Sequence, residues 1–236
     1  MQDNLQPRLQ ENMQHCLQEN LQPRLQENMQ GVVVKGNELV WRTVADAALR
    51  GERRWSSVGQ LADESGVPLR TGYLAIERLL EIGAMEPRNP GVATTNPEKV
   101  LTLLAAWRNL RKDTIARTTL EAAQSLMDSS QRPYAIGGAD AALVYLDGWN
   151  NVADVGMRYV YMPANTITEP LPSGDEVSIL AMDKRATRNW TNGYSSLAQT
   201  YADLFAQAGW QAEEFRRMLW SRHFATPDWD QKETRS

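Results

Sequence analysis

Cysteine is nearly absent from this chain. Among 236 residues only Cys16 carries a thiol, which excludes an intramolecular disulfide framework and fits a cytoplasmic setting. Histidine is almost as scarce. Two histidines and one cysteine fall short of an ordinary zinc site, so no metal or other cofactor is expected. No run of about 18 apolar residues occurs, so no membrane-spanning helix is expected. A charged start followed by an apolar block is also missing, so no secretory signal is expected. A large charge of one sign is missing too. The net charge of −4 argues against a protein that coats nucleic acid without discrimination. It leaves room for a site-specific DNA binder, because charge acts locally.

The charge is unevenly spread. Residues 1–30 carry two basic and four acidic groups, residues 31–128 carry 13 and 12, and residues 129–236 carry 10 and 13. The middle region is the least acidic. Its Arg53-Arg54 pair and its Arg108–Lys112 cluster can meet phosphates, or can equally form solvated helix faces.

What the chain has in excess is a repeat. Asn4–Gln14 (NLQPRLQENMQ) recurs unchanged at Asn20–Gln30. Beneath it runs a four-residue beat of Leu or Met, at positions 5, 9, 13, 17, 21, 25 and 29. A period of four drifts around a helix of 3.6 residues per turn, so the stripe cannot make one straight coiled-coil seam. Pro7 and Pro23 interrupt any continuous helix. A low-complexity Gln-rich tail over 1–30 is expected. Tandem repeats in the coding DNA, or a start codon placed too far upstream, would account for so exact a repeat, and short helices used for self-association are the functional reading.

The organising stretch runs from Trp55 to Asn96. Val58, Leu61 and Ala62 share a helical face, Gly66 supplies a turn, and a second helical pattern follows. Its inward positions are Leu69, Gly72, Ile76, Leu79, Leu80 and Gly83. Two short extended runs, Ala84–Arg88 and Val92–Thr95, flank a turn at Asn89-Pro90-Gly91. A helix from about Glu38 to Leu49, capped by Asn37 and closed by Gly51, would support the pair. Helix, short turn, helix and then hairpin resembles the winged helix-turn-helix of bacterial transcription regulators. The matching residues are Leu61-Ala62, Gly66-Val67, Thr71, Ile76, Leu79 and Ile82–Met85. Such a unit lays its second helix in a DNA major groove. The residues expected at double-stranded operator DNA are Arg70, Thr71, Tyr73, Leu74 and Arg78 on that helix, Arg88 in the wing, and Arg53 and Arg54 ahead of it. A helical pair that only binds protein is the alternative.

The second half changes character. After helices at Pro97–Leu110 and Thr114–Met127, strands are expected at Tyr134–Ile136, Val152–Met162 and Val177–Met182, with a helix at Ala139–Leu146. Two helices close the chain, near Ser195–Ala208 and Ala212–Phe224. The expected fold class is α+β. The expected organisation is a tail (1–30), a winged helix-turn-helix domain (31–112), an α+β domain (113–226) and a loose terminus (227–236).

Ile136-Gly137-Gly138-Ala139-Asp140 can present backbone N–H groups to an anion, and resembles the start of the nucleotidyltransferase fold. That family carries two acidic residues, one apart, on a nearby strand to hold magnesium against a nucleoside triphosphate. Here Asp154 stands alone, with Gly156 in the second position. A vestigial nucleotide site at Gly137, Gly138 and Asp154 is therefore expected, without catalysis. A winged helix-turn-helix followed by an acid-less nucleotidyltransferase-like domain resembles the AbiEi-type antitoxins of abortive-infection (type IV) toxin–antitoxin systems. The stretches that carry this are Tyr134–Leu143 and Tyr194–Leu204. The resemblance implies a repressor of its own operon with a cognate toxin as partner. The Gln-rich tail departs from that family. An enzyme with atypical metal ligands and a protein-binding adaptor remain the competing readings.

Overall fold

The computed structural model describes residues 35–129, 133–190, 192–225 and Trp229. The repeat over 1–30 lies outside them. The described residues belong to one compact unit, Val33–Ser236, which takes in both the helix-turn-helix region and all that follows it. The fold is α+β, with a three-stranded and a four-stranded sheet.

α1 (Gly36–Leu49) starts slightly before the expected Glu38, and no side chain caps it. It is the spine of the first half. Val40, Trp41, Val44, Ala45 and Ala48 are buried, and the Trp41 indole N–H donates to the Ala75 carbonyl at 3.0 Å. β1 (Arg54–Trp55) follows, then α2 (Val58–Ser65). The Ser57 Oγ accepts the Gln60 N–H at 3.0 Å and so caps α2. Gly66, at φ +66°, ends it, and the Val67 N–H returns to the Ala62 carbonyl at 3.0 Å.

α3 (Leu69–Glu81) buries Gly72, Ala75, Ile76 and Leu79. The missing side chain of Gly72 lets α3 lie directly on α2, since a Cβ there would sit 2.9 Å from that of Ala62. Leu69, expected inward, is 51% exposed. It occupies the first helical position, ahead of the turn of α3 that packs on α2. β2 (Met85–Pro87) and β3 (Val92–Thr94) form the expected hairpin, and β1 adds an unforeseen third strand alongside β3. Gly91, at φ +86°, is obligatory, because a Cβ there would lie 1.8 Å from the Trp55 carbonyl oxygen.

α4 (Pro97–Trp107) begins as expected. The Asn96 side chain accepts the Lys99 N–H at 3.0 Å, and Pro97 occupies the first turn. Trp107, expected inward, is 44% exposed and meets Trp41 edge to face at 5.6 Å. The expected helix over Thr114–Met127 is divided. After the short α5 (Leu110–Asp113), Thr114–Thr118 is a strand, β4, and only Leu120–Ser129 is helical, α6. The β-branched Thr114, Ile115 and Thr118 favour the pleated state, and a later strand, Val177–Ala181, supplies the ladder that holds them there.

The four-stranded sheet has the order β4-β7-β6-β5. β5 (Ala135–Gly137) leads directly into α7 (Gly138–Tyr145), and β6 (Arg158–Met162) runs parallel to β7 (Val177–Ala181). The expected strand over Val152–Met162 is shortened to β6. The Asp154 carboxylate accepts the Gly156 N–H at 2.9 Å and Gly156 adopts φ +68°, a turn that stops the strand. Beyond the short α8 (Ala186–Asn189) come α9 (Leu197–Ala206) and α10 (Trp210–Leu219), which passes into a wider turn over Trp220–Phe224. α9 packs on α1 and α4 as well as on α7 and α10, so the main apolar core runs from the first half into these helices, while the four-stranded sheet carries two smaller clusters of its own. Tyr201 and Leu204 enter it as expected, whereas Phe205 is 46% exposed beneath the Arg216 guanidinium.

Candidate nucleic-acid interface

α3 turns one face to solvent. Arg70, Tyr73, Leu74, Glu77 and Arg78 are all exposed. Tyr73 and Leu74 are more than half exposed, an uncommon investment of apolar surface on one helix. Arg70 stands in the first turn and has no ion-pair partner among the described residues. Arg78 is paired along the helix with Glu81 at 3.0 Å. Thr71 is half-buried and faces the start of α1, where a Cβ at Gly36 would lie 2.5 Å from its Cγ2. It therefore positions α3 against α1 and does not stand on the outer face.

The neighbouring arginines differ. Arg54 is exposed on β1. Arg88, on the hairpin, is half-buried and paired with Glu86. Arg53, expected at a phosphate, is turned inward. It is 8% exposed and donates to the Trp229 carbonyl at 3.0 Å. Alternation along β1 puts Arg53 and Trp55 on the buried side and Arg54 on the open one.

The Gly-Gly turn is real, and its glycines serve packing. A Cβ at Gly137 would lie 2.8 Å from the Tyr161 ring, and one at Gly138 would lie 2.6 Å from the Tyr159 ring. The rings of β6 thus lie where side chains at these two positions would start. β5 and β6 are adjacent and antiparallel, with Gly137 opposite Tyr159. Asp154 is exposed in the loop before β6 and is not on the strand. Asp140, in the first turn of α7, pairs with Arg158 at 3.0 Å. Among the described residues, no three His, Cys, Asp or Glu side chains gather as a metal site would require.

A polar cluster that sequence reasoning missed lies between these regions. Arg108, just after α4, is buried, and its guanidinium meets three carboxylates. They are Asp203 of α9 at 2.7 Å, Glu38 of α1 at 3.1 Å, and Asp113 of α5. Tyr161 of β6 accepts from Arg108 at 2.9 Å and donates to Asp203 at 2.5 Å. Gln199 donates to Asp203 at 2.9 Å and accepts from Arg42 at 3.3 Å. Arg42 in turn pairs with Asp183, beyond β7, at 2.8 Å. Burial pushes the Glu38 carboxyl up to about 7, with Arg108 pulling the other way. Burial likewise raises the Tyr161 hydroxyl well above its ordinary value. Arg42 and two backbone N–H groups hold Asp183 below its ordinary range despite its burial. In the sequence the one trace of this cluster was Gln199 and Asp203, four apart on an otherwise apolar helix.

No protein-family model, curated protein or solved structure matches this chain.

Proposed function

We propose that the chain is a sequence-specific double-stranded DNA-binding protein of the winged helix-turn-helix type, acting as a transcriptional repressor. The observation that carries this reading is the outer face of α3. It offers an unpaired arginine, a tyrosine and a leucine to solvent, while its inner face is fixed on α1 and α2. A helix held in this way can enter a major groove with its first turn toward the base edges. Arg70 can offer a paired donor set to guanine O6 and N7, and Tyr73 and Leu74 can meet thymine methyl groups. The β2–β3 hairpin takes the place of the wing, with Arg88 near the phosphate backbone or the minor groove.

The rest of the chain fits a non-catalytic role. The glycines of the nucleotidyltransferase-like turn at Gly137-Gly138 pack on tyrosine rings, and Asp154 has no second carboxylate at the family's spacing. The resemblance to AbiEi-type antitoxins extends the reading to a repressor of its own operon, with a cognate toxin as protein partner. The deciding experiment is a gel shift on the DNA upstream of the gene, set against a scrambled duplex of equal length. Selective retention of the upstream DNA is the expected result. Equal retention of both duplexes, or of neither, would overturn the reading and leave the adaptor alternative.

A further inference from the structure

The corner between β7 and α8 touches the helix-turn-helix itself. Gly66, the left-handed residue between α2 and α3, lies directly under the side chain of Arg185. A Cβ at Gly66 would sit 2.6 Å from the Arg185 Cγ and 2.8 Å from its Cδ. Arg185 thus lies across the turn, over a residue only four positions before Arg70. Among the described residues it has no ion-pair partner, and its Nε is buried without a hydrogen bond. Asp63, exposed on α2 close to the same turn, makes no ion pair with it. Lys184, next to it, is exposed and likewise unpaired among the described residues.

The corner is rigidly built. The Asp183 Oδ1 accepts the N–H groups of Arg185 and Ala186, each at 2.9 Å. Its Oδ2 takes the Arg42 guanidinium of α1 at 2.8 Å. Thr187 Oγ1 donates to the Lys184 carbonyl at 2.8 Å. The same aspartate therefore fixes the loop and ties it to the helix that carries α3. Sequence statistics point the same way. Residues 129–236 are acidic overall, yet three of their ten basic residues fall at positions 184, 185 and 188.

Cations left unneutralised and held in place beside a DNA-reading helix are suited to a polyanion. We propose that the Lys184–Arg185 corner is a second phosphate-contacting element, gripping the duplex backbone beside the groove that α3 enters. The interface then extends beyond the winged helix-turn-helix into the four-stranded-sheet region. This inference rests on the DNA-binding reading above.

The test uses the full chain carrying Lys184→Gln and Arg185→Gln, singly and together. Glutamine keeps the aliphatic stem over Gly66 and removes only the charge. Affinity is measured against salt on the upstream DNA and on a random-sequence duplex, with Arg70→Ala beside it. Each phosphate contact contributes about 0.9 to the slope of log affinity against log salt. The double variant should lower that slope by about 2 and weaken both duplexes alike, keeping the preference between them. Arg70→Ala should instead erode the preference. An unchanged slope in the double variant, with Arg70→Ala still damaging, overturns this inference and spares the DNA-binding reading. Wild-type protein that retains no duplex overturns both. Melting curves confirm that the variants fold, and Lys184→Gln, at an exposed position, decides the matter if the double variant does not.

Discussion

Arg70 and Arg108 both stand at the end of a helix, and their surroundings give them opposite work. Arg70 is solvated and unpaired, so its removal should cost the fold little and an operator contact much. Arg70→Ala is expected to weaken specific binding by about tenfold or more, whereas Arg88→Ala should mainly lower the salt dependence. Titration of labelled upstream duplex measures both. Arg108 is enclosed by Glu38, Asp113 and Asp203. Arg108→Leu strands these acids in a dry interior and is expected to cost about 3–5 kcal/mol, read as a large fall in denaturation midpoint. In the sequence the two arginines looked alike, and Arg108 was grouped with the exposed Arg111 and Lys112. What separates them is the approach of α9 and β6, which come from about a hundred and about fifty residues further along and left no mark beside Arg108 itself.

The cluster also sets a pH dependence. Glu38 has its folded value raised to about 7 from an ordinary 4.5. The folded state therefore holds this proton more tightly than the unfolded chain. Its contribution to stability is complete below about pH 4.5 and is lost as pH rises through about 7. Asp46, raised to about 6 by burial, adds in the same direction. Asp183 is lowered, so its contribution is lost only in acid, below its ordinary 3.8. The melting temperature should fall between about pH 5 and about pH 8, and Glu38→Gln should flatten that fall. An equally steep fall in Glu38→Gln would show that the proton sits elsewhere.

At the scale of elements, legibility followed locality. Gly66 after α2 and the Asn96-Pro97 start of α4 are signals spoken by neighbours in sequence, and each lies where the chain predicts it; the Ser57 cap of α2 is equally local. Thr114–Thr118 reads as helix in the sequence because its partner, β7, lies some sixty residues away. The two-residue β1 had no periodicity to read at all. Asp154 seemed to sit on a strand because Val152–Met162 is rich in Val and Tyr, yet its own carboxylate turns the backbone at Gly156. The α2–α3 crossing gives a sharp test of packing. A methyl at Gly72 would stand 2.9 Å from the Ala62 Cβ, backed by the Ala62 Cα. Gly72→Ala must therefore push α3 off α2, against its better helix propensity. A destabilisation of about 1–3 kcal/mol is expected in chemical denaturation, with operator binding weakened further because α3 is displaced. A variant as stable as the parent would mean that the two helices separate freely.

At the scale of the whole molecule, the change of character near Thr114 marks a change of architecture, and the main core crosses it through α7, α9 and α10 while the sheet adds two clusters of its own. α9 comes from the far end of the chain and packs on α1 and α4. The Arg108 cluster joins α1, α5, β6 and α9, and Arg42 with Asp183 joins α1 to the loop after β7. A break between the helix-turn-helix region and α7, α9 and α10 would expose apolar surface on both sides. It would also separate buried ionic groups from their partners, a loss of several kcal/mol. Melting of either half alone is therefore opposed. Thermal unfolding of the compact unit is expected to be one transition, with calorimetric and van't Hoff enthalpies in agreement. Arg108→Leu should lower its midpoint without dividing it, because the apolar core that α1 and α4 share with α7, α9 and α10 remains. Two resolved transitions in the parent protein would show that the halves fold independently. The ion pairs between them would then be a docking contact made after folding, and the Lys184–Arg185 corner would reach the helix-turn-helix only while docked.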